Sequence, residues 1–114
     1  MQNEITRDEL RRKLDRRDKL ILIEALPAKY FQQSHLPGAI NVPHDAADVA
    51  FTQVLTDKGA EIVVYCASAT CKNSSIAAER LMALGYRNVR EYREGKAGWI
   101  AAGLPIESGA AAAA

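Results

Sequence analysis

The chain has 114 residues, which allows one domain with a core of its own. Hydrophobic residues make up 48% of it, and 15 basic against 14 acidic side chains leave a net charge of +1, which argues against a protein held to nucleic acid by bulk charge. No apolar run approaches the ~20 residues that span a bilayer, and the polar start predicts no secretory signal. Two cysteines are too few for a disulfide framework, so we expect a cytoplasmic protein with reduced thiols.

The first half of the chain alternates helix and strand patterns. Thr6 followed by Glu9 is a capping box, which predicts the start of a short helix. The apolar run at 20–23 is typical of a strand buried on both faces. In order, the predicted elements are a helix after Thr6, a strand at 20–23, a helix at 28–33, a strand at 39–42 and a helix at 45–55.

The second half continues this alternation. The β-branched run at 62–65 is the strongest strand signal in the chain. A loop then leads to a helix at 74–84, a strand at 88–92 and a helix at 97–102. The alternation predicts an α/β fold, with a small, mainly parallel sheet flanked by helices on both faces. We assign residues 1–108 to one domain and interpret 109–114, a glycine followed by five alanines, as a disordered or non-native tail.

The residues suited to chemistry follow the strongest strand. Ligands of open α/β sheets bind beyond the carboxyl ends of strands, where Cys66 stands. The next residues are mostly small, which lets backbone amides turn toward one point, and the following helix N-terminus adds unpaired donors. A thiol placed there is expected to have a lowered pKa and to be nucleophilic, with thiosulfate, phosphate or arsenate held by the same donors. The candidate substrate-binding residues are those of the loop: Ala67, Ser68, Ala69, Thr70, Cys71 and Lys72.

Three segments give the chain a specific resemblance. They are residues 22–30 followed by 35–43, residues 63–66, and residues 91–99 followed by 102–105. Over nearly its whole length the chain resembles a single-domain sulfurtransferase of the rhodanese family. The resemblance implies a rhodanese-like fold and a catalytic Cys66 that accepts a sulfane sulfur as a persulfide and passes it to a nucleophile. It also implies a small-molecule sulfur donor and a thiol or sulfur-acceptor protein as partners, without a cofactor, a nucleic acid or a membrane.

The loop departs from the family pattern. That pattern has an arginine after four intervening residues, whereas here five residues separate Cys66 from Lys72. The longer spacing resembles related phosphatases and arsenate reductases, so an oxyanion enzyme stays open as an alternative. Lysine lacks the planar fork of arginine, and Tyr65 stands where those phosphatases usually have histidine, so both disfavour it. Glu24 replaces the Asp that is frequent after the first strand, and the Arg that commonly follows is absent.

Cys71 is the second unusual feature of the loop. It is suited to attack a Cys66 persulfide and release sulfide, or to form a disulfide with Cys66, which would make the chain a non-enzymatic sulfur carrier or redox module. The simpler interpretation is a small side chain that fits the loop. Zinc binding by both cysteines with His35 and His44 is disfavoured by their spacing, so we expect no metal site.

The other candidate residues are interpreted as mainly structural. His35 lies in a Pro-Gly turn, and Trp99 is expected to anchor the core. Arg93 and Lys96 either enlarge the positive field near the loop or lie in solvent. No residue is placed by sequence as an obligatory general base, which suits a thiolate that has already formed. The remaining alternative for Cys66 is a small buried hydrophobic residue that ends its strand.

Overall fold

The computed structural model describes residues 3–109. The five strands in this range lie in one parallel sheet, which confirms the predicted α/β fold. The elements are β1 (Asn3–Glu4), α1 (Arg7–Asp15), β2 (Ile21–Glu24), α2 (Ala28–Gln33), β3 (Ile40–Asn41), α3 (Asp48–Val54), β4 (Ile62–Tyr65), α4 (Asn73–Ala83), β5 (Val89–Tyr92) and α5 (Gly95–Ala101).

The sheet has the strand order β1-β5-β4-β2-β3. β4 is its centre, since it pairs along its whole length with β2 on one side and β5 on the other. All four residues of β4 are fully buried, as expected for a central strand covered on both faces. β1 was not predicted from the sequence, and its two residues pair with Arg90 and Glu91 at the edge of the sheet.

Two hydrophobic clusters cover the faces of the sheet. One contains Phe51 of α3 and Leu81 of α4. The other contains Leu10 of α1, Phe31 of α2 and Trp99 of α5. Alternate residues of β2 and β4 point into opposite clusters, which explains the continuous apolar runs of these two strands. The prediction of helices on both faces is confirmed.

Local signals placed most element boundaries. The Thr6 hydroxyl accepts a hydrogen bond from the amide of Glu9 at 3.1 Å, so the predicted cap of α1 is confirmed. The Glu9 carboxylate instead binds Arg90 in β5. The prediction for α3 began too early, because a turn after Pro43, closed by the Ala46 amide at 3.0 Å, precedes the helix.

The C-terminal part of the described chain lies against α2. His35 and Glu107 form an isolated antiparallel bridge, and the Gly109 amide donates to the carbonyl of Gln32 at 2.7 Å. The predicted tail beyond Gly109 lies outside the described residues. Between residues 3 and 109, none of the helices combines the length and the apolar character needed to cross a membrane.

Candidate active site

The site is built on the predicted strand–loop–helix unit. β4 ends at Tyr65, Cys66 follows directly, and α4 begins at Asn73. The loop between them is tightened by a hydrogen bond from the Cys71 amide to the Ser68 carbonyl at 3.1 Å. This places both cysteines at the carboxyl end of the central strand, where open α/β sheets bind their ligands.

Cys66 is buried beneath its own loop, with 1% of its surface exposed. Its thiol lies 3.4 Å from the carbonyl of Cys71 and 3.4 Å from the hydroxyl of Ser74. Burial, followed by the hydrogen bond with Cys71, raises the pKa of the Cys66 thiol, although hydrogen bonds with Ser74 oppose the change. The expectation of a lowered pKa at Cys66 is therefore wrong, because the loop that was expected to stabilise a thiolate also removes it from water.

Cys71 is the more acidic of the two free thiols. It is half-buried, and burial alone would raise its pKa. Hydrogen bonds from the Cys66 thiol and from the amides of Ala67 and Asn73 outweigh that burial and lower the pKa of Cys71. The kind of backbone-amide binding that was expected for the Cys66 sulfur is thus found at the sulfur of Cys71.

We expect iodoacetamide at neutral pH to alkylate Cys71 faster than Cys66, because the pKa of Cys71 is lowered and that of Cys66 is raised, and because Cys71 is the less buried of the two. Peptide mapping after brief labelling measures both rates in one sample. Protein unfolded in guanidinium is the control, because the two thiols should then react alike. Faster modification of Cys66 in the folded protein would contradict the assigned order of acidity.

A cleft of about 690 Å³ opens beside the loop. Four of the predicted binding residues, 69–72, line it, whereas Cys66, Ala67 and Ser68 do not. The other lining residues are Glu4, Ser75, Ile76, Glu79, Glu91 and Arg93. Lys72 is exposed at the rim. With three carboxylates against two cations, the cleft is less favourable to a small dianion than the sequence suggested.

A buried polar chain behind Cys66 escaped the sequence analysis. The Ser74 hydroxyl donates to Oε2 of Glu91 at 2.6 Å, and the Ser75 hydroxyl donates to the same oxygen at 2.8 Å. Ser74 and Glu91 are 1% and 3% exposed. The only sequence signal is an acidic residue within the short strand β5.

A second buried carboxylate lies on the other side of β4. Oε1 of Glu24 accepts the Tyr65 hydroxyl at 2.7 Å, and Oε2 accepts the Lys96 ammonium at 3.1 Å. Lys96 also donates to the carbonyls of Tyr30, at 3.0 Å, and Ser34. Both expectations for Lys96 are wrong, because it is buried and neutralises Glu24. Burial and the nearby Glu24 charge raise the pKa of Tyr65, which keeps its hydroxyl protonated.

The α5 N-terminus fixes the start of the loop. The amides of Lys96 and Ala97 donate to the carbonyls of Cys66 and Ala67, each at 2.8 Å. Lys96 therefore binds the loop backbone through its amide and the Glu24 carboxylate through its ammonium group. The arginine that the family pattern has after β2 is absent, and Lys96 of α5 provides a cation in this region instead.

Two other candidate residues have the structural roles expected of them. His35 stacks on Phe31 with ring centroids 3.8 Å apart, and its Nδ1 lies 2.8 Å from the Phe31 carbonyl. Trp99 is buried and donates to the carbonyl of Pro105 at 2.7 Å. No group of three or more His, Cys, Asp or Glu side chains within residues 3–109 is arranged to hold a metal ion.

Comparison with known proteins identifies related chains. An HTH-type transcriptional regulator of Mycobacterium tuberculosis is 33% identical over 106 residues, which cover 93% of this chain and 45% of the regulator. This chain therefore spans less than half of that relative. A sulfurtransferase of Allochromatium vinosum is 28% identical over 106 residues, covering 93% of this chain and 95% of the relative.

The fold has close counterparts among solved structures. The BH2092 protein of Bacillus halodurans superposes with a TM-score of 0.86 at 23% identity, covering 93% of this chain and 77% of that one. The sequence model of the rhodanese-like domain family matches residues 6–102, which include every element from α1 to α5. The chain therefore belongs to the family of rhodanese-like domains.

Proposed function

We propose that the protein is a sulfurtransferase that moves a sulfane sulfur through a persulfide on Cys66. The observation that carries the proposal is a free cysteine at the carboxyl end of the central strand of a rhodanese-like domain. The relative from Allochromatium vinosum that bears the name sulfurtransferase supports the same activity. The proposed setting is the cytoplasm, where thiols stay reduced.

The reaction has two displacements at sulfur. The Cys66 sulfur attacks the outer sulfur of thiosulfate or of a persulfide donor, and sulfite or a thiolate leaves with the electron pair of the broken S–S bond. A thiolate acceptor, small or protein-borne, then attacks the outer sulfur of the persulfide and restores Cys66. Because the loop covers Cys66, the Cys71 segment must move aside for the donor to reach it.

The charge of the cleft favours one class of donor. Carboxylates outnumber cations among the lining residues, so a small dianion gains less there than in a site built around arginine. We therefore propose that a low-molecular-weight or protein persulfide, whose reacting end carries at most one negative charge, is a better donor than the thiosulfate dianion. The same charge balance disfavours the phosphatase and arsenate reductase alternatives.

Intact mass after incubation with thiosulfate or glutathione persulfide tests the assignment. We expect the wild-type protein and the matched control Cys71→Ser to gain the mass of one sulfur atom, and Cys66→Ser to gain none. Gain on Cys66→Ser, together with loss of gain on Cys71→Ser, would move the sulfur-carrying role to Cys71. No gain on either the wild type or Cys71→Ser with either donor would exclude the proposed activity.

The contact between the two thiols supports a second candidate, a redox or sulfur-carrier module. In this reaction the Cys71 thiolate attacks the inner sulfur of the Cys66 persulfide, hydrosulfide leaves, and a disulfide remains. Thiol counting after loading distinguishes the two functions. Loss of both thiols with release of hydrosulfide indicates the module, whereas an acceptor that regains the sulfur indicates transfer.

A further inference from the structure

Two buried carboxylates flank β4, and they have different surroundings. Glu24 is neutralised by the Lys96 ammonium, whose Nζ lies 3.1 Å from Oε2. Glu91 forms no ion pair with any lysine, arginine or histidine of residues 3–109, and its hydrogen bonds come from the hydroxyls of Ser74 and Ser75. Burying a carboxylate without a cation is costly, so the second arrangement is not explained by stability.

The hydrogen bonds run in one direction from the buried thiol to Glu91. The Cys66 sulfur lies 3.4 Å from the Ser74 hydroxyl and 3.4 Å from the Cys71 carbonyl, so rotation about the Cβ–Sγ bond aims its single proton at either one. The Ser74 hydroxyl donates in turn to Oε2 of Glu91 at 2.6 Å. With the thiol aimed at Ser74, each donor stands one step farther from the carboxylate than its acceptor, as a two-step proton transfer requires. The chain is nearly buried, since each of its three members is no more than 3% exposed, and its Glu91 end borders the cleft.

We propose that Glu91 accepts the proton of Cys66 through the hydroxyl of Ser74 when the sulfur attacks its donor. The inference rests on the function proposed above, in which Cys66 carries the sulfur. It assigns a general base that the sequence did not reveal. Ser74 contacts the reacting sulfur, whereas Glu91 acts through Ser74.

The proton balance closes over the two half-reactions. As the new S–S bond forms, the Cys66 proton moves to Ser74 Oγ and the Ser74 proton moves to Glu91, while the donor's leaving group departs with its electron pair. When the acceptor removes the outer sulfur, Cys66 leaves as a thiolate and recovers its proton by the reverse path. No oxidant or reductant is consumed.

Other charged groups face this chain and affect its pH dependence. Glu4 of β1 is the register partner of Glu91, and it forms an ion pair with Arg93 at 3.3 Å. The titratable or charged residues that share the cleft with Glu91 are Glu4, Cys71, Lys72, Glu79 and Arg93. The negative charge of Glu91 opposes ionisation of Cys71. If that repulsion were the only effect of Glu91, removing its charge would speed the reactions of the thiols.

The test therefore depends on the direction of change. Alkylation of Cys66 by iodoacetamide is followed by peptide mapping from neutral to alkaline pH, and it needs no sulfur donor. We expect Glu91→Gln to slow alkylation at neutral pH by about 100-fold, with the difference vanishing once hydroxide ionises the thiol directly. The wild-type rate should be nearly flat over the neutral range, whereas the variant rate should rise in proportion to hydroxide.

A pair of serine variants provides the matched control. Ser74→Ala should reproduce the pH dependence of Glu91→Gln, because it removes the link to the sulfur. Ser75→Ala removes the other hydroxyl on the same carboxylate oxygen and should keep the flat wild-type dependence. If Glu91→Gln does not fold, the comparison of Ser74→Ala with Ser75→Ala still tests the inference.

Two results would overturn the inference. One is faster alkylation of Cys66 in Glu91→Gln at neutral pH, and the other is the same pH dependence in Ser74→Ala and the wild type. The outcome is separable from the function proposed above. Suppose that the wild-type protein takes no sulfur from any donor but shows the expected alkylation profile. This result would support Glu91 as the proton acceptor and would contradict the proposed sulfurtransferase function.

Discussion

Replacing Lys96 with methionine is expected to lower the free energy of unfolding by about 3–5 kcal/mol. The change keeps most of the side-chain volume but leaves the fully buried Glu24 carboxylate without its cation. It also removes the ammonium group that donates to the carbonyls of Tyr30, within α2, and of Ser34, which follows α2. Guanidinium unfolding at constant pH measures the loss.

Two further variants separate charge from packing. Lys29→Met changes an exposed lysine of α2 and should alter the free energy of unfolding by no more than about 0.5 kcal/mol. Adding Glu24→Gln to Lys96→Met should recover part of the loss, since no uncompensated charge then remains buried. A loss below about 1 kcal/mol for Lys96→Met alone would show that Glu24 does not depend on this lysine.

We expect Gly95→Ala to destabilise the fold by about 2–4 kcal/mol and to expose Cys66 to alkylation. Gly95 has φ +70°, and a Cβ there would lie 2.7 Å from the Cys66 carbonyl oxygen and 2.8 Å from the Ser68 amide nitrogen. Both atoms belong to the backbone, so the loop itself must shift. Thermal unfolding and the alkylation rate of Cys66 measure the two effects.

Gly103→Ala is the control for this change. Gly103 has a similar φ of +72°, but its added Cβ meets no atom within 4 Å. The control therefore introduces only the backbone strain, about 1–2 kcal/mol, and should leave Cys66 as slow to alkylate as in the wild type. Equal effects of the two changes would show that glycine is needed at position 95 only because of the positive φ there.

The sequence predicted the elements that local patterns determine. The β-branched run gave β4 with its observed bounds, and Pro27 placed the start of α2. β1 was missed because two polar residues carry no periodicity, and only pairing with Arg90 and Glu91 makes them a strand. The position of Cys66 after the central strand was predicted from the same β-branched run, which ends directly before it.

The chemical state of the site depends on contacts that the sequence does not display. Cys66 was expected to be ionised, but its own loop folds over it and burial raises its pKa. The Lys96–Glu24 pair joins residues 72 positions apart, and the link from Ser74 to Glu91 spans 17. Periodicity and capping signals act over a few residues, so they cannot reveal such partners.

The placement of β1 beside β5 has a consequence for biosynthesis. Of the five strands within residues 3–109, β1 is made first, yet its neighbour in the sheet, β5, is made last. Until then the Ile5 amide lacks its acceptor on Glu91, and the Glu9 carboxylate lacks Arg90. The nascent chain can therefore assemble β2, β3 and β4 first, while the first strand and helix dock only after translation of β5.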